Sequence, residues 1–403
     1  MRWALMQRTS STMTSNTDYL SRVLQRLSAF RGEAELNPAQ VEERLILGPG
    51  WIGAIEAGAI HPSLDVIASM LSVYGKTLTD LADGATGSVP YINRSIAAEA
   101  VGSDLDIHFA YARHDATYRL LQASLDQFTQ VVLTLRNGLA QLSRQNVSDE
   151  QEKAIKTESV ASAFLKAVEL WPSANPSDIW WFVVYRAYCD QYNHPSEHSR
   201  LDFTQSWKRT GGWALERILE RHYGTALAAH GINLVIADGE RKVRLLAGIN
   251  IGHRLEADKM DVLLTVGNGA AEKLIGVVHV KASFAERRTD DVPMSQALVD
   301  AGYISPLWTM DCKSTPSARP VNRGELGAIF DGQGADGRSA KRKDIEDDGF
   351  FSACFSYNKN TRATPEAYQA RARVFICDFS SPNDSFTHFI VSERQRVRTR
   401  LGI

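Results

Sequence analysis

Cysteine is scarce: Cys189, Cys312, Cys354 and Cys377 stand far apart, and no two form a CxxC pair. That excludes a disulfide framework and a zinc ribbon, and it fits the reducing cytoplasm. Long apolar runs are missing as well. The longest, Trp180-Trp181-Phe182-Val183-Val184-Tyr185, falls far short of the roughly 20 residues that cross a bilayer. The opening MRWALMQRTSSTMTS has an early arginine but no apolar stretch of useful length, which argues against an export signal. Neither sign of charge is in excess: 45 Lys and Arg face 47 Asp and Glu, a net charge of −2. A chain so balanced does not advertise nucleic-acid binding, although catalytic carboxylates and an acidic exterior can offset a basic cleft. What is present is ordinary for a soluble globular protein, with 44% hydrophobic and 23% charged residues. At 403 residues, two or three domains are expected.

Residues 1–17 are Ser/Thr-rich and are expected to be disordered. From 18 to 85 the pattern is one of short helices with tight punctuation. A helix is predicted over Tyr19–Ala29, and a second opens at Asn37-Pro38, a cap followed by proline at the first helical position. Gly48-Pro49-Gly50 then precedes Trp51–Gly58, and His61-Pro62-Ser63 opens a helix to Tyr74. The run Ile52…Ile55-Glu56-x-Gly58-x2-His61-Pro62-Ser63-Leu64, followed by Ile67, Leu71 and Leu78, resembles the Cro/C1-type helix-turn-helix domain over about 60 residues. Its would-be recognition helix begins Gly50-Trp51-Ile52-Gly53, where a base reader normally offers Arg, Asn, Gln or Ser. Weak DNA binding and a packing or dimerisation role both stay open.

Residues 86–194 are expected to be a helical linker and dimerisation region. Tyr118, Leu121, Leu125, Phe128, Val132, Leu135, Leu139 and Leu142 alternate at spacings of three and four, which predicts a long helix over 115–145 with a heptad seam. A dimer contact is the favoured reading and packing inside its own domain the other. Two further helices are predicted at about 151–171 and 177–192.

From 195 to 403 the texture turns α/β. Helix is predicted over Trp207–His230, strands over Lys242–Ile251, Met260–Val266 and Leu274–Ser283, helix over Pro293–Ala301 and a strand over Pro306–Cys312. The order is αβββαβ. Residues 314–349 read as loop. Gly332-Gln333-Gly334-Ala335-Asp336-Gly337 matches GxGxxG literally but opens no helix after a strand, so it is no nucleotide motif.

Asp261 and Lys281 carry the chemistry. One stands near the start of a predicted strand and the other near the end of the next, so a hairpin brings them across from each other. Each takes a place where an apolar strand would carry Val or Ile. Hydrolysing a phosphodiester calls for a divalent cation to polarise the phosphate and activate water. Magnesium takes carboxylate oxygens and retains several waters, and a lysine beside it offsets developing charge. This arrangement resembles the PD-(D/E)XK nuclease core, with Asp261 as the metal-binding aspartate and Lys281 as the catalytic lysine. Two residues before the lysine stands His279 instead of an acid, which leaves the metal one carboxylate short. The resemblance implies a glutamate from elsewhere. Glu216, on the helix before the sheet, is preferred over Glu286.

Lys281-Ala282-Ser283-Phe284-Ala285-Glu286-Arg287-Arg288-Thr289-Asp290-Asp291, with Trp207…Arg209…Gly212…Glu216 and Trp308–Ser314, is similar to restriction endonucleases of the BsaWI/AgeI group. PfoI-like enzymes are a further resemblance. The likeness covers roughly 195–380. It implies base reading of a CCGG or CCNGG core by Glu286, Arg287, Arg288, Asp290 and Asp291, since arginine pairs with guanine O6/N7 and a carboxylate accepts from cytosine N4. It also implies a magnesium cofactor, a homodimer on palindromic double-stranded DNA, products with 5′-phosphates and a cognate cytosine methyltransferase in the same system.

Blander readings stand beside these. Asp261 and Lys281 make an ordinary ion pair, worth well under ~1 kcal/mol if exposed. Glu216 belongs to a charge lattice with Arg217, Glu220 and Arg221, and Arg287 and Arg288 are surface charge. Asp311, Lys313 and Glu325 form a second-choice catalytic set within the same fold. His194 and His198 have metal-like spacing without partners, so a zinc site is not expected. Arg394, Arg396, Arg398 and Arg400 would line one side of a strand as a phosphate-tracking ridge or form a frayed, solvated end. The stretch Arg338–Lys343 is open to the same two readings. The alternative from another class is a helix-turn-helix transcriptional regulator with a non-catalytic C-terminal domain.

Overall fold

A computed structural model describes residues 16–83, 96–111, 114–144, 146–196, 202–237, 239–249, 251, 260–284, 288–313, 319–330, 332 and 335–402. The chain forms two compact units, Met1–Asn93 and Arg94–Ile403. The expected disorder of residues 1–17 falls almost wholly outside the described residues.

The described residues of the first unit form five helices: α1 (Asn16–Glu33), α2 (Pro38–Leu45), α3 (Trp51–Glu56), α4 (Leu64–Tyr74) and α5 (Leu78–Asp83). Their ends follow from local chemistry. Asn37 caps α2 and shares a capping box with Gln40, and Ser63 caps α4. Leu24, Leu27, Phe30, Val41, Ile52, Ile55, Met70, Leu71 and Tyr74 make a closed core. Glu42 accepts from the Ile52 amide at 3.0 Å, clipping α2 to α3. Arg31 binds Glu56 at 2.8 Å through two nitrogens.

The second unit opens with an antiparallel sheet, β1 (Ile96–Val101), β2 (Asp104–Tyr111) and β3 (His114–Leu120). The helix expected over 115–145 is therefore corrected. Its first turns are β3, in which Arg119 faces Asp106 across the ladder at 2.7 Å. Gln122 adopts a left-handed conformation (φ 51°), and Ser124 with Gln127 starts α6 (Leu125–Leu139) by a capping box. Strand, turn and helix together reproduced a heptad spacing by coincidence. Leu135, Leu139 and Leu142 are buried in the core of their own unit, while Leu121 and Leu125 are exposed, so the run forms no continuous helical seam.

Next come α7 (Asp149–Leu170), α8 (Pro176–Asp178), a π-helical stretch Ile179–Val184, α9 (Tyr185–Cys189) and the long α10 (Phe203–Ala229). α6 and α7 cross closely at Gly138, where a Cβ would lie 2.3 Å from the Ser159 hydroxyl. β4 (Ile232–Val235), α11 (Gly239–Leu246), β5 (Val262–Val266), β6 (Lys273–Lys281), α12 (Arg288–Ala301), β7 (Leu307–Thr309), α13 (Ala340–Glu346), β8 (Cys354–Ser356), β9 (Val374–Ile376) and α14 (Ser385–Leu401) complete the chain. The six strands lie in the order β4-β5-β6-β7-β8-β9. β4 to β6 are antiparallel and β6 to β9 parallel.

Three expectations change in this half. Lys242–Ile251 is not a strand: α11 buries Leu245 and Leu246 on one side and leaves Val243 in solvent, while Ile232–Val235 fills the first strand position. The arginines of the tail lie on the helix α14, where residues two apart point in different directions. Arg394 donates to the His230 carbonyl and Arg400 to that of Asp300. Arg338 and Arg342 are buried, bound to Asp336, Asp347 and Glu346, so Arg338–Lys343 is no solvated ridge. One apolar core runs from Ile96 to Val397, which makes residues 94–194 part of the same unit as the sheet and no separate helical region.

Candidate active site

Three elements converge on the β5–β6 hairpin. Asp261 stands immediately before β5, Lys281 ends β6, and α10 lies against both β4 and β6. Val262 pairs with Val278, so the register sets Asp261 beside the end of β6. Its Oδ2 accepts from the Val280 amide at 2.8 Å and from Lys281 Nζ at 2.6 Å. The two side chains are 12% and 8% exposed, so this is no solvated surface pair. Lys281 also meets Asp291 of α12, Oδ2 at 3.6 Å. The ammonium thus sits between two carboxylates.

Glu216 projects from the middle of α10 and is partly buried. Burial, and then the negative charge of Asp261, push its carboxyl up to about 8, with Lys281, Lys153 and Lys242 pulling the other way. Two partly buried carboxylates that feel each other could serve as donors to a divalent cation that keeps several waters. Among the described residues no three His, Cys, Asp or Glu side chains form a ready-made cage, and a soft-metal site has no ligands here.

His279 is structural. It is fully buried, its Nε2 lies 2.9 Å from the Ser305 hydroxyl, and its ring meets Phe351 edge-on. Burial and the neighbouring Lys281 lower its pKa to about 3, so it stays neutral. His194 is likewise buried, stacked on Phe203 with Nε2 2.6 Å from the Tyr188 carbonyl; His198 lies outside the described residues.

Of the expected base readers, Glu286 and Arg287 lie outside the described residues, as do the side chains of Arg288 and Asp290 on α12. Asp291 is 1% exposed and lies beside Lys281, which argues against direct contact with a base. The second-choice set gathers at the exit of β7, with its two acids engaged in other contacts. Asp311, in a left-handed conformation (φ 47°), accepts from the Glu325 amide at 2.6 Å and from the Thr361 hydroxyl. Glu325 accepts from Ser283 at 2.8 Å and pairs with Lys341 at 2.9 Å, and Lys313 is exposed. Both acids are occupied in holding loops together, and Asp311 is raised to about 6 by burial.

Sequence reasoning missed Lys153 and Lys242 beside the acids. Lys242 Nζ donates to the Met260 carbonyl at 2.9 Å, next to Asp261. Reading 242–251 as a strand hid it. Lys153 comes from α7 and lies over the Trp213 ring, and no spacing in the sequence links it to the hairpin.

Residues 23–83 match the helix-turn-helix domain family. Over 280 residues the chain is 34% identical to the Type II restriction enzyme AgeI of Thalassovita gelatinovora, spanning 64% of this chain and 96% of that protein. The crystal structure of the specific AgeI–DNA complex superposes with a TM-score of 0.60 at 32% identity, covering 72% of this chain and 99% of that one. The pre-specific BsaWI–DNA complex aligns over 68% and 95% at 16% identity and a TM-score of 0.33, a likeness too slight to argue from. The chain therefore belongs to the AgeI family of Type II restriction endonucleases and carries a helix-turn-helix domain.

Proposed function

We propose that this chain cuts double-stranded DNA at a specific palindromic site, with Glu216, Asp261 and Lys281 as its catalytic residues on a PD-(D/E)XK core. The observation that carries the reading is the Asp261–Lys281 contact at 2.6 Å, with the field of Asp261 acting on Glu216. Glu216 and Asp261 would hold magnesium, which when bound polarises a phosphate oxygen and acidifies a water. Asp261 is aimed by the Val280 amide, so the acid is fixed before DNA arrives. Lys281, steadied by Asp261 and Asp291, presents its ammonium to the scissile phosphate and offsets the charge that builds on it. Cleavage of the P–O3′ bond by water leaves a 5′-phosphate.

Glu286, Arg287 and Arg288 follow the catalytic lysine closely enough to meet bases beside the scissile bond, and a CCGG or CCNGG core suits their chemistry. A two-fold site matches a homodimer, and a cytosine methyltransferase would protect the host. The rival reading, a regulator with an inert C-terminal domain, loses its ground with the family assignment. Plasmid DNA incubated with magnesium and the protein is expected to give discrete bands. Asp261→Ala is expected to bind the same duplex and to leave it uncut, and normal cutting by that variant would end the proposal.

A further inference from the structure

At the carboxyl ends of the parallel strands β7 and β8 lies a groove of about 800 Å³ lined by Lys313, Arg319, Arg323 and Arg362. All four are exposed. Among the described residues that line it, the one carboxylate, Glu325, is already paired with Lys341 at 2.9 Å. The groove is a built feature. Asp311 receives the Glu325 amide and the Thr361 hydroxyl, tying the exit of β7 to the loops that carry Arg323 and Arg362. Gly324 makes the approach possible: at φ 75°, a Cβ there would lie 2.4 Å from the Asp311 carboxylate.

The groove is joined to the catalytic strand. Ser283, two residues past Lys281, donates to Glu325 at 2.8 Å. Lys281 pairs with Thr309, and Thr309 with Ser356. The cations therefore leave the sheet from the same edge as the catalytic lysine, one and two strands away, at roughly 4.8 Å per strand. Ligands of parallel sheets gather at this edge.

We propose that this groove holds backbone phosphates of the DNA strand being cut, within a few nucleotides of the scissile bond, with Lys313, Arg323 and Arg362 as the contacts. The inference rests on the nuclease reading and deepens it. Phosphates suit the site better than bases, because open, exposed cations with no carboxylate free among the described lining residues to accept from cytosine N4 carry charge and little sequence information. Asp311 and Glu325, which resemble catalytic acids in the sequence, are positioning residues that shape the groove.

Fluorescence anisotropy of a cognate and a random duplex, without metal and from 50 to 200 mM salt, tests this on wild type, Lys313→Ala, Arg362→Ala and Lys313→Arg. The cognate duplex is taken from the ends of cleaved plasmid. Each alanine is expected to lower the slope of log K against log salt by about 0.9, to weaken both duplexes by one factor, and to leave the melting temperature unchanged. Lys313→Arg is expected to keep the slope. Unchanged slopes in both alanine variants, or a loss confined to the cognate duplex, would overturn the phosphate site while leaving the nuclease intact. A wild-type chain that cuts no duplex would overturn the nuclease reading and this one with it.

Discussion

His279 shows how one side chain decides what the site is made of. It occupies the place where the PD-(D/E)XK pattern expects an acid, and it is buried against Ser305 and Phe351 with its pKa lowered to about 3. Folded, it stays neutral where the unfolded chain takes up a proton, so between about pH 6.5 and 3 the unfolded state binds more protons and stability falls as pH falls. His279→Gln is expected to flatten that acid limb by up to about 1.4 kcal/mol per pH unit. Urea titrations of both proteins from pH 7 to 4 measure the difference, and parallel limbs would show that another group is responsible. In the proposed site the missing acid is supplied by Glu216, whose carboxyl is pushed up to about 8 by burial and the charge of Asp261.

Elements differ in how plainly the sequence declares them. The β5–β6 hairpin was legible because two apolar runs flank Gly267-Asn268-Gly269, and the charges at Asp261 and Lys281 interrupt them. The caps Asn37 and Ser63 announced their helices. The heptad run at 118–142 misled because spacing of three and four does not report a break, and the break came from a left-handed Gln122 and a cap at Ser124. Residues 242–251 misled because a short amphipathic helix and a strand share an apolar pattern. Asp291 reached Lys281 through the packing of α12, a tertiary fact that local pattern cannot carry. In the first unit the question left open by the sequence has a charge answer. Residues 23–83 hold four Lys and Arg against eight Asp and Glu, a net charge of −4, and α3 presents Trp51, 46% exposed, between glycines. Phosphate binding is opposed by that charge. Trp51→Ala is expected to leave affinity for the cognate duplex unchanged, and a tenfold loss, about 1.4 kcal/mol, would make α3 a DNA reader after all.

At the scale of the whole molecule, a net charge of −2 conceals an uneven distribution. The helix-turn-helix domain holds more than its share of acid, and four cations of the second unit, Lys313, Arg319, Arg323 and Arg362, line one groove at the sheet edge. That edge also carries Lys281, so charge, groove and catalytic strand point to one DNA path. Among the described residues no helix is long and apolar enough to cross a membrane. The account depends most on the acid that the hairpin lacks and α10 supplies. Glu216→Gln keeps the shape of the side chain and removes its charge. Single-turnover cleavage of the cognate duplex in magnesium, with anisotropy to follow binding, is expected to show a rate at least about 100-fold lower at unchanged DNA affinity. Cutting by Glu216→Gln at the wild-type rate would contradict the account.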